Sequence, residues 1–311
     1  MHYLDYNEKI NHGSPDFPIA FYHVSERHPR YHMPFHWHKE MEIIRIRSGF
    51  LKLFLDSQEI LAQEGDMILI DDGVIHGGEP EHCVYECVVF DPSLLSHTDA
   101  CKRYLRLMTR HQIRLCHYFP AAEPPITCQA ASRQTDHSSA LQVQAASRTA
   151  SSAALMNAAD RLCTALRYPH AGSELLTLGA LYEFFGFLFE GEFYTQTVET
   201  DRRFFHKTDA LKPVLEYISA HYAEPVTLED LSKEAGMSPK YFCRCFRTFL
   251  HRTPMDYLNY YRIEQACYLL TREELSITET AYRCGFNDTS YFIKTFRKYT
   301  GTTPRKYTDR R

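Results

Sequence analysis

Two stretches of this 311-residue chain set cations where they could hold phosphate. In Ser238-Pro-Lys-Tyr-Phe-Cys-Arg-Cys-Phe-Arg247 and on to Phe249, Phe242, Phe246 and Phe249 recur at helical spacing. That leaves Lys240, Arg244 and Arg247 together on the opposite face. Fifty residues later Phe292 and Phe296 repeat the apolar spacing, and Thr289, Ser290, Ile293, Lys294 and Arg297 look outward. On a helix lying in a groove, Arg and Lys contact phosphates or pair with guanine O6 and N7, and short hydroxyl side chains suit either task. One cationic face is usually just solvated; two in matching frames point to nucleic acid.

The frames themselves are a repeat. At an offset of fifty, Tyr241-Phe242 falls on Tyr291-Phe292, Arg244 on Lys294, Phe246-Arg247 on Phe296-Arg297, Thr253-Pro254 on Thr303-Pro304, and Tyr257 on Tyr307. A unit used twice is one supersecondary motif, and each copy reads as helix, glycine turn, helix. In the first, Thr227-Leu-Glu-Asp230 has the form of a capping box, Leu228, Leu231 and Ala235 share a face, Gly236 turns the chain, and Ser238-Pro239 opens the next helix. In the second, Ser276-Ile-Thr-Glu279 caps, Gly285 turns, and Asn287 or Asp288 opens the helix. Between the copies, Pro254 to about Leu270 reads as one helix with Ile263, Ala266 and Leu269/Leu270 on its apolar face, roughly 25 Å long at the usual rise. Such a spacer suits two helices in successive major-groove segments, about 34 Å apart along a duplex.

Residues from about 208 to 308 resemble the DNA-binding domain of the AraC family of transcriptional regulators, most diagnostically in Gly285-Phe-Asn-Asp-Thr-Ser-Tyr-Phe-Ile-Lys-Thr-Phe-Arg-Lys-Tyr-Thr-Gly-Thr-Thr-Pro304. The resemblance implies groove-facing roles for Lys240, Cys243 and Arg244 in the first copy and for Thr289, Ser290, Ile293 and Lys294 in the second. It adds Arg262 on the linker helix. Ser238, Tyr241, Arg247 and Arg297 complete the expected DNA-contact set. Cys243 departs from the pattern, because a thiol reads bases poorly and suits packing against the groove. The family further implies a homodimer, RNA polymerase as a partner, and activation, although the residues do not separate activator from repressor.

The N-terminal part follows a different period. Ile44 and Ile46 alternate with Arg45 and Arg47, and Leu51, Leu53 and Leu55 with Lys52 and Phe54; Met67-Ile-Leu-Ile70 and Cys83 to Phe90 add short strands. Gly49 and Asp56-Ser57-Gln58 read as hairpin breaks. Short strands at regular spacing make a sandwich or small barrel. His36-x-His38-x3-Glu42-x6-Gly49 and Gly65-x5-Asp71-x-Gly73-x2-His76 resemble the two motifs of the cupin superfamily, with Asp71 where that family favours Pro. His36 and His38, two apart on a strand, share a face, and Glu42 and His76 can converge with them. Three imidazoles and a carboxylate either hold Mn, Fe, Ni or Zn or line a polar cavity for a small hydroxylated effector such as a sugar, with no cofactor required. A metal-dependent cupin enzyme on a DNA-binding tether is the rival, but no further acid, base or nucleophile cluster accompanies the ligand set, so the chain reads as a non-enzyme. His23, His28 and His32 have no useful ligand spacing.

Composition agrees with a two-part regulator. The net charge is −4, yet residues 207–311 hold 17 of the 35 Lys/Arg and 13 of the 39 Asp/Glu, leaving +4 there and −8 elsewhere. Ten cysteines without a CxxC pair read as reduced thiols, and with no signal-peptide layout the expected location is cytoplasmic, away from membranes. Residues 1–34 read as an irregular arm with a strand at Ile19 to Val24. Helices are expected at 98–117, 154–168 and 173–190, the last apolar nearly all round. The Ala/Ser/Gln/Thr-rich residues 121–153 read as disordered, residues 191–207 as a connection, and Leu211, Val214, Leu215, Ile218 and Tyr222 as the buried face of the next helix. The expected architecture is thus α+β and multidomain: a cupin-like sensor barrel over 1–95, a helical linker and dimerisation region over 96–206, and an all-α DNA-binding domain with two helix-turn-helix motifs over 207–311.

Overall fold

The computed structural model describes residues 12–14, 16–28, 31–56, 58–122, 139–197, 199–272 and 275–308, with side chains left undescribed in 139–147, 199–207 and 271–272. The chain divides between Phe204 and Phe205 into two compact units.

The first unit is built on one antiparallel sheet. Strands β1 (Ile19–Val24), β2 (Met33–His36), β3 (Met41–Leu55), β4 (Gln58–Gln63), β5 (Met67–Ile70), β6 (His76–Phe90) and β8 (Tyr118–Phe119) form it in the order β1-β6-β3-β5-β8, with β2 added to β6 and β4 to β3. The long β3 and β6 pair from Met41↔Phe90 to Leu55↔His76. Alternation sorts their side chains. Ile44, Ile46, Leu51, Leu53, Leu55, Tyr85 and Cys87 enter one core, while Met41, Ile43, Val88 and Phe90 face a second core shared with helices.

Gly49 does not end a hairpin. It sits at φ +72° inside β3, where the register slips between Ile46 and Phe50, and an added Cβ would lie 2.1 Å from the carbonyl oxygen of His82. The glycine therefore permits a bulge that keeps one strand continuous.

Helix α1 (Asp99–Thr109) is shorter than expected from 98–117. His111 takes φ +49°, and Ile113 and Leu115 then alternate as strand β7 (Ile113–Leu115), which pairs with β9 (Tyr194–Gln196). The stretch read as a connection thus contributes a strand. The disorder expected over 121–153 is also corrected: 123–138 lie outside the described residues, but helix α2 (Ser139–Arg167) begins at 139. Alanine favours a helix where tertiary packing supplies a partner, and Leu155, Ala158, Ala159 and Leu162 are fully buried. With helix α3 (Ser173–Glu190), α2 closes on the back of the sheet in a common core containing Phe184, Phe185, Leu188, Met67 and Val88. The helical region is thus part of the sheet's own unit, and the sheet extends past residue 95 through β8. The outer side of α3 is wet at its start, with Leu175 76 % exposed.

The second unit is all helical in its described residues: α4 (Glu199–His221), α5 (Leu228–Glu234), α6 (Pro239–Leu250), α7 (Pro254–Arg272), α8 (Ile277–Arg283), α9 (Thr289–Thr300) and α10 (Pro304–Thr308). Leu211, Val214, Leu215 and Ile218 of α4 are fully buried, as their spacing foretold, and Tyr222 is partly so. The capping box of α5 forms in full, with Asp230 N–H donating to Thr227 Oγ1 and Thr227 N–H to Asp230. Ser276 Oγ accepts from Glu279 N–H, and Asp288, rather than Asn287, caps α9 through Tyr291 N–H. Ser238 occupies the N-cap of α6 by backbone alone, without a side-chain capping bond.

Candidate functional site

In the first unit the four motif residues come together. His36 ends β2, His38 follows it, Glu42 projects from β3, and His76 begins β6 opposite His36. One ligand atom from each lies within 4.8 Å of all the others, and all but His36 are buried. Each imidazole is oriented by main chain: Nδ1 of His36, His38 and His76 stands 2.9 Å from the carbonyl oxygen of Pro34, Glu40 and Val74 respectively. With Nδ1 turned to the main chain, Nε2 faces the centre of the cluster, able to bind a metal when bare and to donate to Glu42 when protonated. His38 Nε2 and His76 Nε2 lie 3.4 and 3.3 Å from Glu42 Oε2. Burial alone would raise the Glu42 pKa, but hydrogen bonds and charge from both histidines hold it well below the ordinary carboxylate range. His76 Nε2 is buried, and the Glu42 carboxylate is the polar group it faces.

The site has one neighbour that motif reading did not pick out. His12 is buried with its ring 5.7 Å from that of His38, and its Nδ1 lies 2.9 Å from the Tyr22 hydroxyl. Nothing in the local pattern around His12 announces it, since the approach is made across the fold. Asp71, the residue in the place of the motif's proline, is pushed up to about 7 by burial and by the Asp72 carboxylate. It is not among the clustered ligands.

In the second unit α6 and α9 are the second helices of the two motifs. Phe242, Phe246 and Phe249 of α6 and Phe292 and Phe296 of α9 are buried. Their opposite faces are open. Ser238, Lys240, Arg244 and Arg247 are exposed, with Tyr241 and Cys243 half-buried beside them; Ser290, Ile293, Lys294 and Arg297 are exposed and Thr289 half-buried. Lys240, Arg244 and Arg247 thus stand in the same register as Ser290, Lys294 and Arg297, and Cys243 in the same place as Ile293. The Arg244 guanidinium lies over the Tyr241 ring at 5.3 Å, a cation–π contact that fixes its direction.

Arg262 is placed differently from the rest of the expected contact set. From the middle of α7 its Nε donates to the Tyr222 carbonyl at 2.7 Å and its Nη2 to the Glu224 carbonyl at 2.8 Å. The expected duplex-facing guanidinium therefore spends part of its donor fork on the protein's own main chain.

Comparison with known proteins follows the same division. Residues 18–119 match the AraC-like ligand binding domain, and residues 231–310 a helix-turn-helix domain. The HTH-type transcriptional regulator YdeC of Bacillus subtilis strain 168, itself uncharacterized, is 26 % identical over 305 residues, covering 96 % of this chain and 94 % of its own. The HTH-type transcriptional activator RhaS of Salmonella schwarzengrund is 34 % identical over 95 residues, 30 % of this chain and 34 % of its own. Among solved structures, the DNA-binding domain of the global transcriptional factor AdpA in complex with a target DNA matches at 32 % identity and a TM-score of 0.32, covering 32 % of this chain and 91 % of that one. No helix among the described residues is long and apolar enough to cross a membrane. With a ligand-binding match over the sheet, a helix-turn-helix match over the helices and a regulator aligned along almost the full length, this chain belongs to the AraC family of transcriptional regulators.

Proposed function

We propose that this regulator is a one-component switch, in which a small molecule bound in the sheet domain changes how tightly the helical unit holds two successive major-groove segments. The observation that carries this reading is the matched register of the exposed stripes Lys240/Arg244/Arg247 and Ser290/Lys294/Arg297. Cations at these steps suit phosphate and guanine, and hydroxyl and apolar groups between them suit base edges. The effector acts through its different affinity for two states of the protein. Binding, rather than turnover, is the work of the pocket, and a polar hydroxylated compound such as a sugar fits its imidazoles. A homodimer, a contact with RNA polymerase and activation of transcription complete the proposal.

The donor set also fits a divalent ion of the Mn, Fe, Ni or Zn kind. His36, His38, Glu42 and His76 would hold it, and the convergence of three main-chain-oriented imidazoles on the Glu42 carboxylate supports that assignment. A bound ion would supply a Lewis-acidic centre to which an effector hydroxyl can add.

Selection of bound fragments from genomic DNA tests the DNA reading, and failure to enrich any sequence over bulk DNA would overturn it. Thermal shift of the full chain against a metabolite panel, with and without chelator, tests the pocket. Metal analysis of the protein and of His38→Ala separates the two forms of the pocket: a metal content lost in the variant supports the ion, and equal content in both ends that assignment.

A further inference from the structure

We propose that Arg262 is a positioning residue that fixes the two reading helices relative to one another through the end of α4, and is not a phosphate contact. This inference rests on the two-segment reading given above.

The two helix-turn-helix copies are alike in sequence but not in surroundings. Both turns use a glycine in the left-handed region, Gly236 at φ +62° and Gly285 at φ +78°. A Cβ added at Gly236 would meet nothing within 4 Å. One added at Gly285 would lie 2.7 Å from the Tyr222 carbonyl oxygen and 3.0 Å from Ala223 Cα. The main chain leaving α4 therefore lies directly on the turn of the second motif, and only glycine permits that approach.

Arg262 secures the same junction from the side. Its two bonds take the carbonyls of Tyr222 and Glu224, just beyond the last residue of α4, where helix carbonyls have no intrahelical donor. Its guanidinium also stands 5.8 Å over the ring of Phe286, the residue after Gly285. The Tyr222 ring packs edge-on to Tyr261 at 5.2 Å. The chain then runs through Val226 and the Thr227 cap straight into the first motif.

Nearer the start of α7, Asp256 in its first turn and Asn259 in its second grip α9. Asn259 Nδ2 donates to the Tyr291 hydroxyl at 3.1 Å, and Lys298 and Tyr299 reach Asp256. The entrance to the first motif and the body of the second are thereby joined as one block with Arg262 at its centre. A guanidinium suits this task because its planar fork serves two acceptors at once.

The test uses the full chain and duplexes that it selects from a random-sequence library, together with versions in which one segment is scrambled or the spacing is altered by one base pair. For Arg262→Ala the expected result is a loss of roughly tenfold or more on the intact duplex, little change on the one-segment duplex, and a flattened preference among spacings, because rigid bivalency is what is lost. The slope of affinity against salt stays as in the wild type. Gly285→Ala applies the same test from the other side of the contact should loss of Arg262 prevent folding, and the same pattern is expected. Equal loss on both duplexes, with the salt slope reduced by about one, makes Arg262 a phosphate contact and overturns the proposal. Unchanged affinity and spacing preference overturn it as well. A wild-type protein that binds the one-segment duplex as tightly as the intact one overturns the two-segment reading itself, and is recognised before any variant is made.

Discussion

Arg45 of β3 and Asp160 of α2 form a two-pronged ion pair, with Nε and Nη2 each 3.0 Å from one carboxylate oxygen. Arg45 is buried and gives its remaining arm to the Gly65 carbonyl. Arg47, two residues along the same face, bonds Asp160 at 2.7 Å and buried Glu86 at 2.7 Å, and Glu86 is reached in turn by Arg167 and His23. This network fastens the helical layer to the back of the strand whose front carries Glu42.

Asp160→Ala strands the buried end of that pair. Asp160 is itself about a third exposed, so water takes up part of the loss. The expected destabilisation is about 1.5–3 kcal/mol, the range for hydrogen bonds to charged groups, read as a lower midpoint in urea unfolding. A change below about 0.5 kcal/mol would place Asp160 among ordinary surface residues.

Asp71 supplies a pH signature. Its folded value near 7 lies above the unfolded value near 3.8, so the proton is held longer by the native state. The native state therefore loses stability as pH climbs from about 4 to about 7, and the full penalty stands above that. Asp71→Asn is expected to melt higher than the wild type at pH 8 and to lose that advantage at pH 4. An advantage that does not vary with pH would mean that the gain comes from packing and not from ionisation.

Arg244→Ala and Lys294→Ala are each expected to cost about 1–3 kcal/mol of affinity with relaxed preference at one base pair if the side chain reads guanine. Competition binding against point-substituted duplexes measures both. A uniform loss on every sequence assigns the side chain to phosphate.

Ile293 is 37 % exposed at the centre of the α9 stripe, where an apolar group meets the thymine methyl in the major groove. Replacing the thymines of a selected duplex one at a time by uracil should weaken wild-type binding at one position by about 0.8 kcal/mol, the worth of one buried methylene-sized group. Ile293→Ser should not notice the change. If both proteins respond equally, Ile293 makes no methyl contact.

Much of this was legible in the sequence because the signals are local. The alternation Ile44-Arg45-Ile46-Arg47 gave a strand with two different faces, and Thr227, Ser276 and the two turn glycines marked the helix ends that the structure contains. The His36/His38/Glu42/His76 cluster was legible for another reason: its spacing matches a known motif, and β6 returns His76 beside His36. What escaped depends on distant partners. The Ala/Ser/Gln-rich start of α2 has the composition of a loose segment, and the helix is buried farther on through Leu155, Ala158, Ala159 and Leu162 in a core shared with the sheet. The strand from Ile113 to Leu115 looked helical until β9 was present to pair with it. The main-chain bonds of Arg262 were not legible either, because its acceptors are carbonyls, which no side-chain pattern advertises.

The junction at Gly285 also bears on how the chain matures. Translation delivers α4, the first motif and α7 before Gly285 and Phe286 exist, so the main chain after His221 has only its α7 seat until the last segment has emerged. Pairings between residues so far apart close late in folding. A protein cut short before α8 would carry one complete reading motif whose entrance rests on α7 alone, with the side that meets Gly285 left bare.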